Sequence, residues 1–324
     1  MNHRINSLGI LSLAGLFLCA AIVMAAPKPD KEQSPLKVPD SVIIERDVEF
    51  SRVGDRPLLL DVVRPKKESV RPRPVVVHIH GGGWSGGDKT QALSGLMVAA
   101  DKYDYIGFTI GYRLTGEASW PAQINDCKAG IRWIKSQAAK YHLDPDKIAV
   151  WGHSAGGHLV SLLGTTGDIG SFNGKDGIPD ASARVTCVVD WAGPSDLLTY
   201  ADKSKASDPK SGIARLLGGP LAEKLDLARA ASPVNHVSSD SAPFLIMHGT
   251  KDPMVPITQA EELVAALEKV HVPVTFVRID GGGHGIAGDE VKQRVYTFLD
   301  KYLRGQDVTV SSETIIAPAG AKGK

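Results

Sequence analysis

Cysteine is almost missing from this chain. Three occur in 324 residues, and no Cys-x-x-Cys pair is present. That excludes a disulfide framework and the usual thiolate zinc spacings. No sign of charge dominates: 37 basic and 36 acidic side chains leave a net charge of +1. Composition therefore gives no reason to expect nucleic acid or an anionic membrane surface as partner. Internal repeats are lacking. No composition break or Pro/Gly/Ser-rich linker divides residues 40–304, so that stretch reads as one domain.

Long apolar runs are lacking too. The longest, from Leu8 to Val23, falls short of the ~20 residues that span a bilayer. The basic start Asn2-His3-Arg4 precedes it and the small residues Met24-Ala25-Ala26 follow it. This is the layout of a secretory signal peptide over residues 1–26, followed by a Pro/Lys/Asp-rich linker over 27–40. Leu16-Phe17-Leu18-Cys19 loosely follows a lipobox, but Leu18 is a poor residue before an acylated cysteine. Cleavage is expected rather than lipid anchoring at Cys19. The mature chain is expected to be secreted or periplasmic, with no stable membrane insertion. Export would leave Cys127 and Cys187 in an oxidising compartment, where either a disulfide or two inert buried thiols is compatible with their positions.

What is present is an alternation. Residues 42–50 and 58–63 read as two strands around a Gly54-Asp55 turn. Further strands are expected at 75–80, 105–110, 147–150, 185–191, 244–248 and 274–279. Helices are expected at 90–102, 121–140, 155–164, 258–270 and 289–303; in the second, Ile124, Ile131 and Ile134 share one face. Residues 196–240 form a mixed insertion, expected to cover the site in part like a small lid. Residues 305–324 have little core-forming content and are expected to be a disordered tail. Strands alternating with helices predict an α/β domain over 41–304, with a mostly parallel central sheet and helices on both faces.

The chemistry concentrates at Trp151-Gly152-His153-Ser154-Ala155-Gly156-Gly157-His158. A buried strand precedes it and a buried helix follows, the context a nucleophile elbow requires. Gly152 and Gly156 lack the Cβ atoms that would clash in so sharp a turn. Three other segments end or follow buried strands: His80-Gly81-Gly82-Gly83, Lys251-Asp252 and Gly283-His284. In a parallel sheet such segments gather at the carboxyl edge. A serine hydroxyl is a weak nucleophile that needs a base within reach. His284 suits the base and Asp252 the acid that orients it. Ser154, Asp252, His284 is also the chain order of α/β-hydrolase triads. The amides of Gly82, Gly83 and Ala155 would receive the oxyanion, with the Trp84 amide as a further donor.

Rival readings exist for several residues. Asp196, in Gly193-Pro194-Ser195-Asp196, competes with Asp252 and also suits a helix cap. His248 precedes Gly249 at a strand end and is a weaker base than His284. His78 and His80 share a strand face, but no third metal ligand is near them in sequence. His153 and His158 flank the elbow and read as structural. Trp84 and Trp120 suit either sugar stacking or ordinary packing.

These pieces resemble the α/β-hydrolase esterases related to hormone-sensitive lipase. They look most like the bifunctional feruloyl and acetyl-xylan esterase group. The matching segments include His80-Gly81-Gly82-Gly83-Trp84, Gly111-Tyr112-Arg113-Leu114, Asp126-Cys127-Lys128-Ala129, the elbow, Trp191-Ala192-Gly193-Pro194-Ser195-Asp196, His248-Gly249-Thr250-Lys251-Asp252-Pro253 and Gly283-His284-Gly285, within residues 40–304. The resemblance implies a nucleophile at Ser154, an acid at Asp252, a base at His284 and an oxyanion hole at Gly82, Gly83 and Ala155. It implies no cofactor and no metal. Many lipase-related members carry Asp where this chain has His153, which moves it toward carbohydrate-esterase and formamidase-like branches. The expectation is a secreted serine esterase acting on an ester substrate, foremost acetylated or feruloylated plant polysaccharide such as xylan. The alternatives are a general small-ester esterase or lipase, an amidase or peptidase with the same triad, and an inactive hydrolase fold that binds a partner.

Overall fold

The computed structural model describes residues 36–172, 174, 177–178, 180–200 and 207–317. The expected signal peptide and most of the linker lie outside them. β1 (Val42–Val53) and β2 (Arg56–Pro65) form an antiparallel hairpin, with Gly54 at φ 56° in its turn. The remaining strands are β3 (Arg73–Ile79), β4 (Ile106–Ile110), β5 (Leu143–His153), β6 (Cys187–Trp191), β7 (Phe244–Gly249), β8 (Val274–Asp280) and β9 (Ile315–Ile316). They make one sheet in the order β1-β2-β4-β3-β5-β6-β7-β8-β9. β2 runs antiparallel to β4, and every neighbouring pair from β4 to β9 is parallel. The helices are α1 (Leu93–Tyr103), α2 (Ala122–Ser136), α3 (Ala138–Tyr141), α4 (Ala155–Thr166), α5 (Leu197–Tyr200), α6 (Gly212–Leu217), α7 (Leu225–Ala230), α8 (Thr258–Lys269) and α9 (Asp289–Arg304).

Strand periodicity divides the core in two. Val75, Val77 and Ile79 of β3 point to one face, where α2, α4 and α8 pack; Val76 points to the other, under α1 and α9. α9 shows why such a segment must be a helix. Its buried residues Val291, Val295, Phe298, Leu299 and Leu303 fall on one stripe of a 3.6-residue period. Fully burying each contributes about 1.5–3 kcal/mol relative to exposure. Cys127 and Cys187 are both free and buried, one in each core, so the sheet stands between them. Among the described residues, no helix is long and apolar enough to cross a membrane.

Two elements differ from expectation. The helix expected over 121–140 is broken at Gln137, whose amide turns to the carbonyls of Trp133 and Ile134 and closes α2 before α3 begins. The tail expected to be disordered is ordered as far as residue 317. Gly305 ends α9 at φ 66°, and the returning chain adds β9 to the edge of β8. The Arg294 guanidinium donates to the carbonyls of Ser311 and Glu313, and Ile315 is buried. This order comes from an open strand edge and a buried cation on distant elements, not from local apolar content. Residues 318–324 lie outside the described ones. The insertion packs Leu197, Leu216, Leu217 and Ala231 into the main core.

Candidate active site

The elbow is strained as its sequence requires. Ser154 sits at φ 59°, ψ −123°, between β5 and α4, a conformation that costs a non-glycine residue about 1–3 kcal/mol. The surroundings hold it there. Its amide donates to the Trp191 carbonyl at 2.8 Å, and its carbonyl accepts the His158 amide at 3.0 Å. A Cβ on Gly152 would meet the Gly156 carbonyl oxygen at 2.3 Å. One on Gly156 would meet the Ile79 oxygen at 2.1 Å. Only glycine fits either position. Ala155 opens α4, and a first-turn amide has no acceptor within its own helix.

The glycine loop after β3 lies against the elbow. A Cβ built on Gly81 would stand 3.5 Å from the Ser154 Cβ and 2.8 Å from the His153 carbonyl oxygen. Gly82, Gly83 and Trp84 take φ values of 113°, 58° and 57°. Among the described residues, no protein acceptor meets the amides of these three. Three side chains brace the loop. The His80 Nδ1–H donates to the Gly81 carbonyl at 2.8 Å, and its ring stacks on Tyr112 at 4.3 Å. The Trp84 indole donates to His158 Nδ1 at 3.1 Å, and His158 Nε2–H donates to the Ala231 carbonyl at 2.7 Å. Trp84 and Trp120 are only 3% and 6% exposed, so both are packing residues and neither offers a face to a sugar.

His158 must be neutral to accept from Trp84. Burial depresses its pKa to about 4, below the unfolded value near 6.5. Between those values the unfolded chain binds more protons, so this contribution to stability is present above pH 6.5 and lost as pH falls toward 4. The full effect is on the order of 3 kcal/mol. We expect His158→Gln to flatten the fall of melting temperature between pH 6.5 and 4, read by circular dichroism; an unchanged slope would show that His158 is not its source.

The candidate acid and base lie just past the next two strand ends. Thr250 and Lys251 donate their amides to the carbonyls of Ile279 and Gly282, which binds the loop after β7 to the loop after β8. Asp252 Oδ2 accepts from His284 Nδ1–H at 2.7 Å. Its Oδ1 accepts the amides of Met254 and Val255 at 2.8 and 3.0 Å. Burial alone would raise the Asp252 pKa. The donors His248, His284, Val255 and Met254 outweigh it and hold the carboxyl well below the usual carboxylate range. With Nδ1 donating to a carboxylate, His284 Nε2 is left as the basic nitrogen.

The rival residues have other partners in the structure. Asp196 accepts the Leu198 amide at 2.9 Å and starts α5, and it takes no part in the Asp252–His284 pair. His248 is wholly buried and donates Nε2–H to the Val255 carbonyl at 2.8 Å. Reading the sequence missed what His153 does. Its Nε2–H donates to the His284 carbonyl at 2.7 Å, with the two rings 4.6 Å apart. This bond ties the elbow to the base loop across 131 residues, and no local signal could have revealed it. Burial lowers the His153 pKa.

Known proteins give the arrangement a context. The BD-FAE family model matches residues 60–267. The chain is similar to the probable carboxylic ester hydrolase LipM of Mycobacterium tuberculosis, 32% identical over 235 residues, which are 72% of this chain and 54% of that protein. The chain spans about half the length of the curated relatives it matches. Among solved structures it is similar to a truncated form of a carbohydrate esterase from gut microbiota, with a TM-score of 0.71 and 28% identity over 81% of this chain and 96% of the other. It is also similar to a bifunctional GH43-CE protein of Bacteroides eggerthii, with a TM-score of 0.72 and 28% identity, covering 82% of this chain and 36% of the other. The fold is that of the α/β-hydrolases, and by the match over residues 60–267 the chain belongs to the BD-FAE family.

Proposed function

We propose that the protein is a serine carboxylic-ester hydrolase that works through an acyl-enzyme. One observation carries this reading: the 2.7 Å Asp252–His284 pair is tied through the His284 carbonyl to His153, next to an elbow serine whose neighbouring glycine-loop amides have no protein acceptor among the described residues. His284 Nε2 takes the Ser154 proton as Oγ attacks the ester carbonyl. The amides of Gly82, Gly83 and Ala155 receive the oxyanion, each worth on the order of a hundredfold in rate. His284 then protonates the leaving alcohol. Water, activated by the same imidazole, releases the acid. Asp252 stays ionised throughout and steadies the imidazolium. The geometry needs neither metal nor cofactor for these steps.

The substrate we propose is acetylated or feruloylated polysaccharide such as xylan, met outside the cytoplasm after residues 1–26 are removed. Two features support this. Similar solved structures are described as a carbohydrate esterase and a bifunctional GH43-CE protein. An apolar cavity of about 490 Å³ also opens between α1 and the loop after β8, with Leu96, Trp151, Trp191 and Ile286 in its wall and Gly81, His153 and Gly285 at its border. That is room for an aromatic acyl group.

The test is acetate release from acetylated xylan beside hydrolysis of methyl ferulate and ethyl acetate. Release from xylan is the expected result. Cleavage of ethyl acetate alone would keep the esterase and reject the polymer. A variant tests the cavity. A Cβ on Gly95 meets nothing within 4 Å, so Gly95→Trp should fold and fill this space. We expect kcat/KM for methyl ferulate to fall about tenfold or more, with ethyl acetate within about threefold. Equal losses on both esters would remove the cavity from substrate binding.

A further inference from the structure

His248 stands outside the mechanism above, yet it is wholly buried and touches the acid. We propose that His248 is a positioning residue for Asp252: its Nε2–H fixes the 252–255 turn through the Val255 carbonyl, and the same nitrogen stands beside Asp252 Oδ2. This rests on the triad reading of Ser154, Asp252 and His284.

The geometry follows from which atoms can donate. The Val255 carbonyl only accepts, so the His248 nitrogen 2.8 Å from it carries the proton. The same nitrogen lies 3.4 Å from Asp252 Oδ2, long for a hydrogen bond but close enough for its N–H dipole to act on an anion. Both side chains are fully buried, so water does not screen the pair. Oδ2 thus has an imidazole nitrogen of His284 at 2.7 Å and one of His248 at 3.4 Å, while Oδ1 takes the amides of Met254 and Val255.

The nearby buried carboxyl of Asp190 is already held by the Ser161 hydroxyl at 3.0 Å and the Gly193 amide at 2.9 Å. His248 Nδ1 is buried and has no partner among the described residues. The imidazole is therefore asked for one hydrogen, at Nε2. Its length rather than its second nitrogen is what the site uses. A glutamine places an N–H as far from the backbone as Nε2. An asparagine stops short of it.

The experiment measures kcat and KM on p-nitrophenyl acetate, per folded molecule, for the full chain and for His248→Leu, His248→Asn and His248→Gln, with melting temperatures alongside. For Leu and Asn we expect kcat to fall about ten- to a hundredfold with KM within about threefold, a fraction of the roughly 10⁴-fold cost of a wrongly presented acid. Gln should recover kcat to within about threefold of the parent. If Leu does not fold, the Asn and Gln pair decides. Equal kcat in Asn and Gln would overturn the proposal, as would lower melting temperatures with unchanged kcat, since His248 would then only pack. Activity that survives Ser154→Ala would instead sink the triad reading beneath it.

Discussion

Replacing Ser154 with glycine should abolish ester hydrolysis and raise the melting temperature at once. The first effect is chemical. Without Oγ no acyl-enzyme forms, and losing such a nucleophile costs on the order of 10⁴–10⁶ in kcat. The second effect is conformational. Ser154 is held at φ 59°, ψ −123°, where only glycine is unstrained. Relief of about 1–3 kcal/mol exceeds the roughly 0.5–1 kcal/mol that glycine's extra freedom gives the unfolded chain. Ser154→Ala separates the two. It keeps the strain, so it should be equally inactive and melt near the parent. Activity of purified Ser154→Ala within tenfold of the parent would remove Ser154 as nucleophile. Equal melting temperatures for the two variants would remove the strain argument.

Gly156→Ala should produce the largest loss of stability of any glycine-to-alanine change among the described residues. Its Cβ would meet the Ile79 carbonyl oxygen at 2.1 Å and the His80 oxygen at 2.9 Å. Both are backbone atoms that no rotamer change can move aside, so β3 and α4 must part. We expect a loss of about 3 kcal/mol or more, at the upper end for overpacking. Activity should fall as well, because the displaced end of β3 carries residues 81–84. Gly95→Ala is the matched control. Its Cβ meets nothing, and in the first turn of α1 it should stabilise by at most about 0.5–1 kcal/mol. Urea unfolding of both variants reads the difference; a loss below about 1 kcal/mol for Gly156→Ala would mean that α4 can shift freely against β3.

The sequence also misled in instructive places. A helix was expected to run through Gln137, because apolar spacing continues past it, yet its amide closes the turn. Residues 305–317 lack a hydrophobic pattern, yet the free edge of β8 and the buried guanidinium of Arg294 order them. Asp196 and Asp252 each follow a strand within a few residues. The bond from Asp252 to His284, across 32 residues, and the bond from the Leu198 amide to Asp196 are what distinguish the candidate acid from the cap.

The sequence alone determined what contiguous residues can encode. The glycines around Ser154 permit a turn that other residues forbid, and apolar period and length distinguish buried strands from helices. Alternation of the two then forces a parallel sheet whose carboxyl ends share an edge. Tertiary structure decided partnership: His153 on the His284 carbonyl, His248 behind Asp252, His158 between Trp84 and Ala231, and β9 on β8. Each is one or two hydrogen bonds or a strand edge, and all but the His248 contact join residues far apart in the chain. Its existence depends on strand order and loop path, which no local pattern of side chains specifies.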